Sequence, residues 1–101
     1  MSRNMKKYDL DPRTESDIIR LAKKRHIKRV ILFGSRARGD NRERSDIDLA
    51  VNGGSASDYY YDLEESAHTL LFFDVVDLDR HVSEELKKEI DKDGVILYEE
   101  V

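Results

Sequence analysis

The sequence predicts an α+β domain with a small mixed β-sheet and flanking helices. The chain has 101 residues, which is enough for one domain with one core. Short apolar runs with the length of strands alternate with segments whose apolar residues recur every three or four positions, as they do in helices. The predicted strands are residues 28–33, 46–52, 71–79 and 95–98.

The N-terminal part of the chain differs in charge from the remainder. Residues 1–29 contain ten Lys and Arg but four Asp and Glu, whereas residues 30–101 contain eight and eighteen. Residues 1–13 are polar, show no period and include the single proline, Pro12, so we expect a flexible arm before a domain that occupies residues 14–101. We do not expect nucleic acid as a partner, because the acidic remainder would repel a polyanion.

Composition excludes several classes of site. The chain has no cysteine, which rules out disulfides and thiolate metal sites and fits a cytoplasmic protein. Charged residues make up 40% of the sequence, and no apolar run approaches the length of a membrane span. No signal peptide is visible. We therefore expect a cytoplasmic protein without membrane contact.

The elements follow in order along the chain. A first helix is predicted to start at Thr14, which with Asp17 resembles a capping box, and to run to about Arg25. A short helical turn at residues 35–39 follows the first strand. A second long helix is predicted over residues 58–70, with an apolar stripe. The stripe consists of Tyr60, Leu63, Ala67, Leu70 and Leu71. Ser83 can cap a last helix, which Asp93 and Gly94 end.

Two short motifs predict the functional site. Gly34 and Ser35 follow the first strand, where a backbone without a Cβ can approach a ligand and a hydroxyl can hold phosphate oxygens. Asp46 and Asp48 are spaced i, i+2 in the second strand, so both carboxylates would point to one face. Hard oxygen ligands of this kind suit Mg²⁺. If the two strands are antiparallel, both motifs meet at one edge of the sheet.

This pattern of Gly-Ser, ten residues and Asp-x-Asp resembles the nucleotidyltransferase superfamily of DNA polymerase β. The wider sequence GSRARG…SDIDLAV is similar to the minimal nucleotidyltransferases, the small partners of HEPN-domain proteins in two-gene modules. The resemblance covers residues 18–99 and implies the polymerase β-like core. It also implies a Mg²⁺-dependent enzyme that transfers AMP from ATP to a hydroxyl, often a tyrosine of the HEPN toxin, so that the chain acts as an antitoxin.

The resemblance also assigns roles to residues. Asp46 and Asp48 would hold two Mg²⁺ ions, and Asp74 would complete one metal site and accept the proton of the acceptor hydroxyl. Gly34 and Ser35 would hold the triphosphate. Asp77, on the opposite face of the predicted third strand, is the alternative to Asp74.

Two alternatives remain open from the sequence alone. Arg36 and Arg38 flank the phosphate site, where guanidinium groups match phosphate oxygens, and solvent exposure is the alternative for both side chains. The domain could also neutralise its partner as a non-catalytic binding module. The intact set of three aspartates argues for catalysis.

Overall fold

The computed structural model describes residues 8–101, and the predicted alternation of helices and strands is confirmed within them. Residues 1–7, the greater part of the predicted arm, lie outside the described residues. The helices are α1 (Pro12–Lys24), α2 (Ser35–Arg38), α3 (Ala56–Ser66) and α4 (Glu84–Asp93). The strands are β1 (Arg29–Phe33), β2 (Ile47–Asn52), β3 (Phe73–Asp77) and β4 (Val95–Glu99).

The four strands form one mixed sheet in the order β3-β2-β1-β4. β1 pairs with β2 and with β4 in antiparallel fashion, whereas β2 and β3 run parallel. The parallel pair needs a crossover connection, which α3 supplies. Because β1 and β2 are antiparallel, the end of β1 lies beside the start of β2, as the sequence predicted.

The helices cover the two faces of the sheet unequally. α1 and α3 pack on one face, where the larger core includes Ile18, Leu32, Leu49 and Leu63, all at most 1% exposed. α4 packs on the other face through Ile90. The smaller cluster on that face contains Ile31, Phe33, Ala50 and Ile90. The side chains of Asp48 and Asp74 belong to this second, less covered face, because they alternate with the residues of the larger core.

The first helix begins earlier than the sequence predicted. Asp11 is the N-cap, with its carboxylate accepting hydrogen bonds from the backbone N–H groups of Arg13 and Thr14, and Pro12 occupies the first turn. Thr14 is therefore inside the helix and 2% exposed. The described end of the predicted arm also packs on the domain, because Leu10 is 5% exposed and belongs to the larger core.

The third helix also differs from its prediction. Ser55 caps α3, and its side-chain hydroxyl accepts a hydrogen bond from the Asp58 backbone N–H. Tyr59 is fully buried and donates its hydroxyl to the Ile18 carbonyl at 2.8 Å, whereas Tyr60 is 43% exposed. The apolar stripe was predicted to start at Tyr60, but the buried tyrosine is Tyr59, one residue earlier. α3 also ends four residues before the predicted boundary at 70.

A bidentate ion pair joins α1 to α3. The Arg25 guanidinium donates to both carboxylate oxygens of Asp62, at 2.6 Å from Nε and 3.1 Å from Nη2. These hydrogen bonds lower the pKa of the Asp62 carboxyl and outweigh the opposite effect of burial. None of the helices in residues 8–101 has the length and apolar character that a membrane span requires.

Candidate active site

The turn after β1 is built around Gly34. Its φ of +78° lies in the left-handed region that favours glycine, and α2 begins at the next residue, Ser35. A Cβ at Gly34 would collide with the Asp48 carboxylate oxygen Oδ2 and would lie 3.3 Å from Cγ of that residue. The Gly-Ser turn and the aspartate strand therefore meet at one sheet edge, and the contact leaves no room for a side chain.

Asp74 lies beside Asp48 on the neighbouring strand. The two residues are register partners in the parallel pairing of β2 with β3, so their side chains point to the same face. Burial has the largest effect on the pKa of Asp48, and together with the negative charges of Asp74, Asp46 and Glu89, in that order, it raises this pKa to about 6. A bound cation would offset this concentration of negative charge.

Asp46 lies one residue before the strand that was predicted to begin with it. β2 begins at Ile47, so Asp46 precedes the strand and is exposed, although its charge still reaches Asp48. Within residues 8–101, no three His, Cys, Asp or Glu side chains converge as a ready-made metal site. Mg²⁺ characteristically binds proteins through one or two carboxylates, with waters and substrate phosphates as the other ligands. The adjacent Asp48 and Asp74 carboxylates fit that mode.

Arg38 remains a candidate for contact with a nucleotide. Its side chain is 38% exposed and donates from Nε to Asp40 at 3.1 Å and from Nη1 to Asp93 at 3.5 Å. The positive charge lowers the pKa of Asp48, against the stronger effects that raise it. The Arg38 guanidinium therefore lies near the carboxylates, on the same side of the sheet, and is partly exposed to solvent.

Arg36 has a different environment from Arg38. Its side chain is buried, and its guanidinium donates to three backbone carbonyls, those of Ser45 at 3.0 Å, Glu43 at 2.9 Å and Asp9 at 3.3 Å. Since its nitrogens are engaged with the backbone, this geometry favours a positioning role over the predicted nucleotide contact. Arg36 ties α2 to the loop that leads into β2, and so supports the position of the carboxylates.

Asp77, the alternative to Asp74, lies away from the two adjacent carboxylates. It pairs in register with Val51 and accepts a hydrogen bond from the Asp79 N–H at 2.9 Å. Asp77 follows Asp74 by three positions, and an odd offset along a strand places its side chain on the opposite face. There it lines a cavity of about 470 Å³ together with Tyr60. The geometry thus favours Asp74.

Two acidic residues of α4 were not predicted as neighbours of the site. Glu89 raises the pKa of Asp48, and Asp93 accepts from Arg38. The two are four residues apart and therefore share one face of the helix. That spacing was visible in the sequence, but only the packing of Ile90 against the sheet shows which face of α4 is turned toward Asp48.

A further cavity, of about 490 Å³, lies at the other end of the same sheet face. It is bounded by α4 and by the start of β1, and none of the predicted site residues lines it. Its charged lining is mixed, with Arg29 and Lys87 opposed by Glu84 and Asp91. The candidate active site with Asp48 and Asp74 therefore lies at the sheet edge near Gly34 and not in this cavity.

Comparisons with known proteins agree with this geometry. The family model described as polymerase beta, nucleotidyltransferase matches residues 16–101, which is most of the chain. A protein of Methanocaldococcus jannaschii named "Putative protein adenylyltransferase" is 57% identical over 37 residues. That match covers 37% of this chain and 37% of the relative, so it spans little more than a third of the relative's length.

Solved structures with the same fold include toxin–antitoxin complexes. A crystal structure of a toxin–antitoxin with AMP-PNP has 28% sequence identity and a TM-score of 0.67, over 84% of this chain and 73% of that one. A mutant of the toxin–antitoxin MntA–HpeT has 25% identity and a TM-score of 0.68, over 90% and 74%. A structure from Shewanella oneidensis, at 16% identity and a TM-score of 0.65, shares the fold over 89% and 73%. With its Gly-Ser turn packed against paired aspartates, and with the family model matched over residues 16–101, the chain belongs to the polymerase β-type nucleotidyltransferase family.

Proposed function

We propose that the chain transfers AMP from ATP, with Mg²⁺, to a hydroxyl of a partner protein, specifically a tyrosine of a HEPN-domain toxin encoded nearby. The observation that carries the proposal is the contact of Gly34 with the Asp48 carboxylate, beside Asp74. A backbone that can approach phosphate oxygens therefore lies next to two carboxylates that can hold a metal ion. Transfer to this hydroxyl would make the chain an antitoxin.

Different residues would bind the triphosphate and the metal ions. Gly34 and Ser35 would hold the triphosphate, with Arg38 contributing positive charge, and Asp48, Asp74 and Asp46 would hold Mg²⁺, two ions in the full arrangement. When bound, the metal supplies positive charge that stabilises attacking and leaving oxygens. The acceptor oxygen forms a bond to the α-phosphorus, the bond to the β-phosphate oxygen breaks, and pyrophosphate leaves.

We assign to Asp74 the role of accepting the proton that the acceptor hydroxyl loses. It is exposed, whereas Asp48 beside it is half-buried, so an approaching acceptor meets Asp74 first. Losing a positioned general base typically costs about 10² to 10⁴ in rate. This assignment leaves Asp48 as the carboxylate closer to the Gly-Ser turn and hence to the phosphates.

The similar proteins support the choice of nucleotide and acceptor. One relative is named as a protein adenylyltransferase, and one similar structure is a toxin–antitoxin with AMP-PNP, an ATP analogue. Both names agree with an adenine nucleotide as donor, the first agrees with a protein as acceptor, and the second supports a toxin as that protein. The main alternative is a non-catalytic antitoxin that neutralises its partner by covering it.

A labelling experiment separates enzyme from binding module. The chain is incubated with Mg²⁺ and the neighbouring HEPN-domain protein, using ATP labelled at the α- or the γ-phosphate in parallel. We expect label from the α-phosphate alone on the HEPN protein, and mass spectrometry of its peptides should place one AMP on a tyrosine. The control is the Asp46→Asn, Asp48→Asn double variant, which should leave the HEPN protein unlabelled. A stable complex with no label from either position would refute catalysis in favour of the binding module.

A further inference from the structure

An apolar segment of three residues lies just before β3, with its first and last side chains exposed and the middle one partly buried against the larger core. Leu70 is 100% exposed and Phe72 is 70% exposed, and Leu71 lies between them. Together with Glu43 and Arg44, the three residues line a cavity of about 310 Å³. Single exposed apolar residues are common, but adjacent ones around a concave surface are typical of interaction sites.

Hydrogen bonds to neighbouring elements hold this segment at both ends. At its start, His68 donates its backbone N–H and presents its ring Nδ1 to the same Asp17 carboxylate oxygen, both at 2.7 Å. The His68 carbonyl accepts from the Thr14 hydroxyl at 3.0 Å. At its end, the Phe72 carbonyl accepts from the Ile47 N–H at 2.9 Å. A surface that is ordered before binding loses less conformational entropy when a partner docks.

The Asp17 carboxylate is suited to this anchoring role. It is buried on α1, where burial alone would raise its pKa, but the hydrogen bonds from His68 and Arg20 outweigh that effect and lower the pKa. The carboxylate therefore stays ionised near neutral pH and continues to accept from His68. α1 thus anchors the start of a segment that lies well outside its own helix.

The exposed segment adjoins the carboxylates of the proposed reaction. Phe72 precedes Asp74 by two residues along the chain, and its carbonyl is bonded to Ile47, which stands between Asp46 and Asp48. β3 is also an edge strand, so no further strand of residues 8–101 separates the segment from solvent. A protein seated on Leu70 and Phe72 would therefore have part of its surface beside Asp74.

Arg44 lines the cavity beside Glu43, and Arg42 lies two residues before Arg44 in the same loop. Arg42 and Arg44 are exposed, and neither forms an ion pair with another residue in the described part of the chain. Most other described arginines do have a carboxylate partner, Arg20, Arg25 and Arg38 among them. The matching surface on a partner would combine an apolar recess with acidic residues, since complementary charge guides association.

We propose that Leu70, Leu71 and Phe72, with Arg44 at the rim and Arg42 in the same loop, form the docking surface for the protein that carries the acceptor hydroxyl. This inference rests on the proposed function and adds to it the surface by which the acceptor protein is recognised. The partner inserts apolar side chains around Phe72 and places acidic residues against the two arginines. Docking there brings its hydroxyl to Asp74, so specificity for the acceptor lies outside the nucleotide site.

The test uses the intact chain and the neighbouring HEPN-domain protein. Leu70→Asp with Phe72→Asp changes only exposed side chains, so the domain should stay folded. We expect a loss of binding of at least 100-fold by calorimetry and a matching loss of AMP transfer, with Mg²⁺·ATP binding to the chain unchanged. Arg42→Glu with Arg44→Glu should weaken binding about tenfold and reduce its dependence on salt. The matched control is Tyr61→Asp, a 62% exposed aromatic on α3, which should bind as the unchanged chain does.

The outcomes are distinguishable from those of the proposed function. No labelling of the HEPN protein by the unchanged chain would refute the reaction, whereas labelling that survives Leu70→Asp with Phe72→Asp would refute the docking surface alone. Binding abolished by Tyr61→Asp but retained by the segment variant would move the interface to α3. Sedimentation of the chain alone provides one more check, because a dimer that the segment variant dissociates would mean that a second copy occupies this surface.

Discussion

Replacing Asp48 by Asn should stabilise the domain in the absence of metal. The structure raises the pKa of this carboxyl from 3.8 to about 6, through burial and the negative charges of Asp74, Asp46 and Glu89. That rise corresponds to about 3 kcal/mol of unfavourable interaction in the ionised form at neutral pH, and solvent screening at this half-buried position reduces it to about 1–2 kcal/mol. Asparagine has almost the same shape and carries no charge, so the contact with Gly34 is preserved.

The sign of the pH dependence follows from linkage. The folded state binds the Asp48 proton more tightly than the unfolded state does, so its favourable contribution is complete below pH 3.8 and is lost as pH rises through about 6. Urea unfolding in EDTA at pH 4.5 and pH 7.5 should therefore show that Asp48→Asn gains more at the higher pH. Addition of Mg²⁺·ATP should stabilise the unchanged chain but not the variant.

The matched control for this experiment is Asp77→Asn. It also removes a carboxylate from the sheet, but on the opposite face, where the aspartate accepts from the Asp79 N–H and pairs with Arg80 at 3.5 Å. We expect it to leave the response to Mg²⁺·ATP intact. If Asp48→Asn proves destabilising at pH 7.5, the crowding of negative charge around Asp48 is not the dominant effect, and the reasoning from its pKa fails.

Three further predictions test other parts of the site and core. Asp74→Asn should slow single-turnover AMP transfer by about 10² to 10⁴ while Asp77→Asn changes it little, and the reverse result would mean that Asp77 is the base. Gly34→Ala should destabilise the fold by about 1–3 kcal/mol in urea unfolding, because φ is +78° and a Cβ would meet the Asp48 carboxylate, and a neutral result would contradict that contact. Tyr59→Phe should cost about 1 kcal/mol by the same assay through loss of the 2.8 Å hydrogen bond to Ile18, whereas Tyr61→Phe should cost nothing measurable.

Much of the site could be predicted from sequence because its parts are local in the chain. The apolar run before Gly34 and the alternation after Asp46 define the ends of β1 and β2, and antiparallel pairing then brings those ends together. The placement of Asp74 beside Asp48 followed from the resemblance, and the parallel register agrees with it. The role of Arg36 could not be foreseen, since it depends on carbonyls nine and twenty-seven residues away.

The errors at element boundaries have a common physical cause. Thr14 resembles an N-cap, but Asp11 followed by Pro12 is the better start, and Thr14 faces inward. Leu70 and Leu71 fit a helical stripe by spacing, yet α3 ends at Ser66, where the chain turns back to α1. Periodicity alone does not distinguish a buried apolar residue from an exposed one, and Leu70 is fully exposed.

The strand order has a consequence for how the domain acquires its shape. β1 and β2 are close in sequence, and β3 follows after one crossover, whereas β4 must return across about seventy residues to pair with β1, as Arg29 does with Glu99. Closing so long a loop is slower than closing a short one. The chain can therefore assemble the three strands that carry Gly34, Asp48 and Asp74 first and add its C-terminal edge last. In hydrogen-exchange experiments the amides of β4 should be the first of the sheet to open and the last to become protected on refolding.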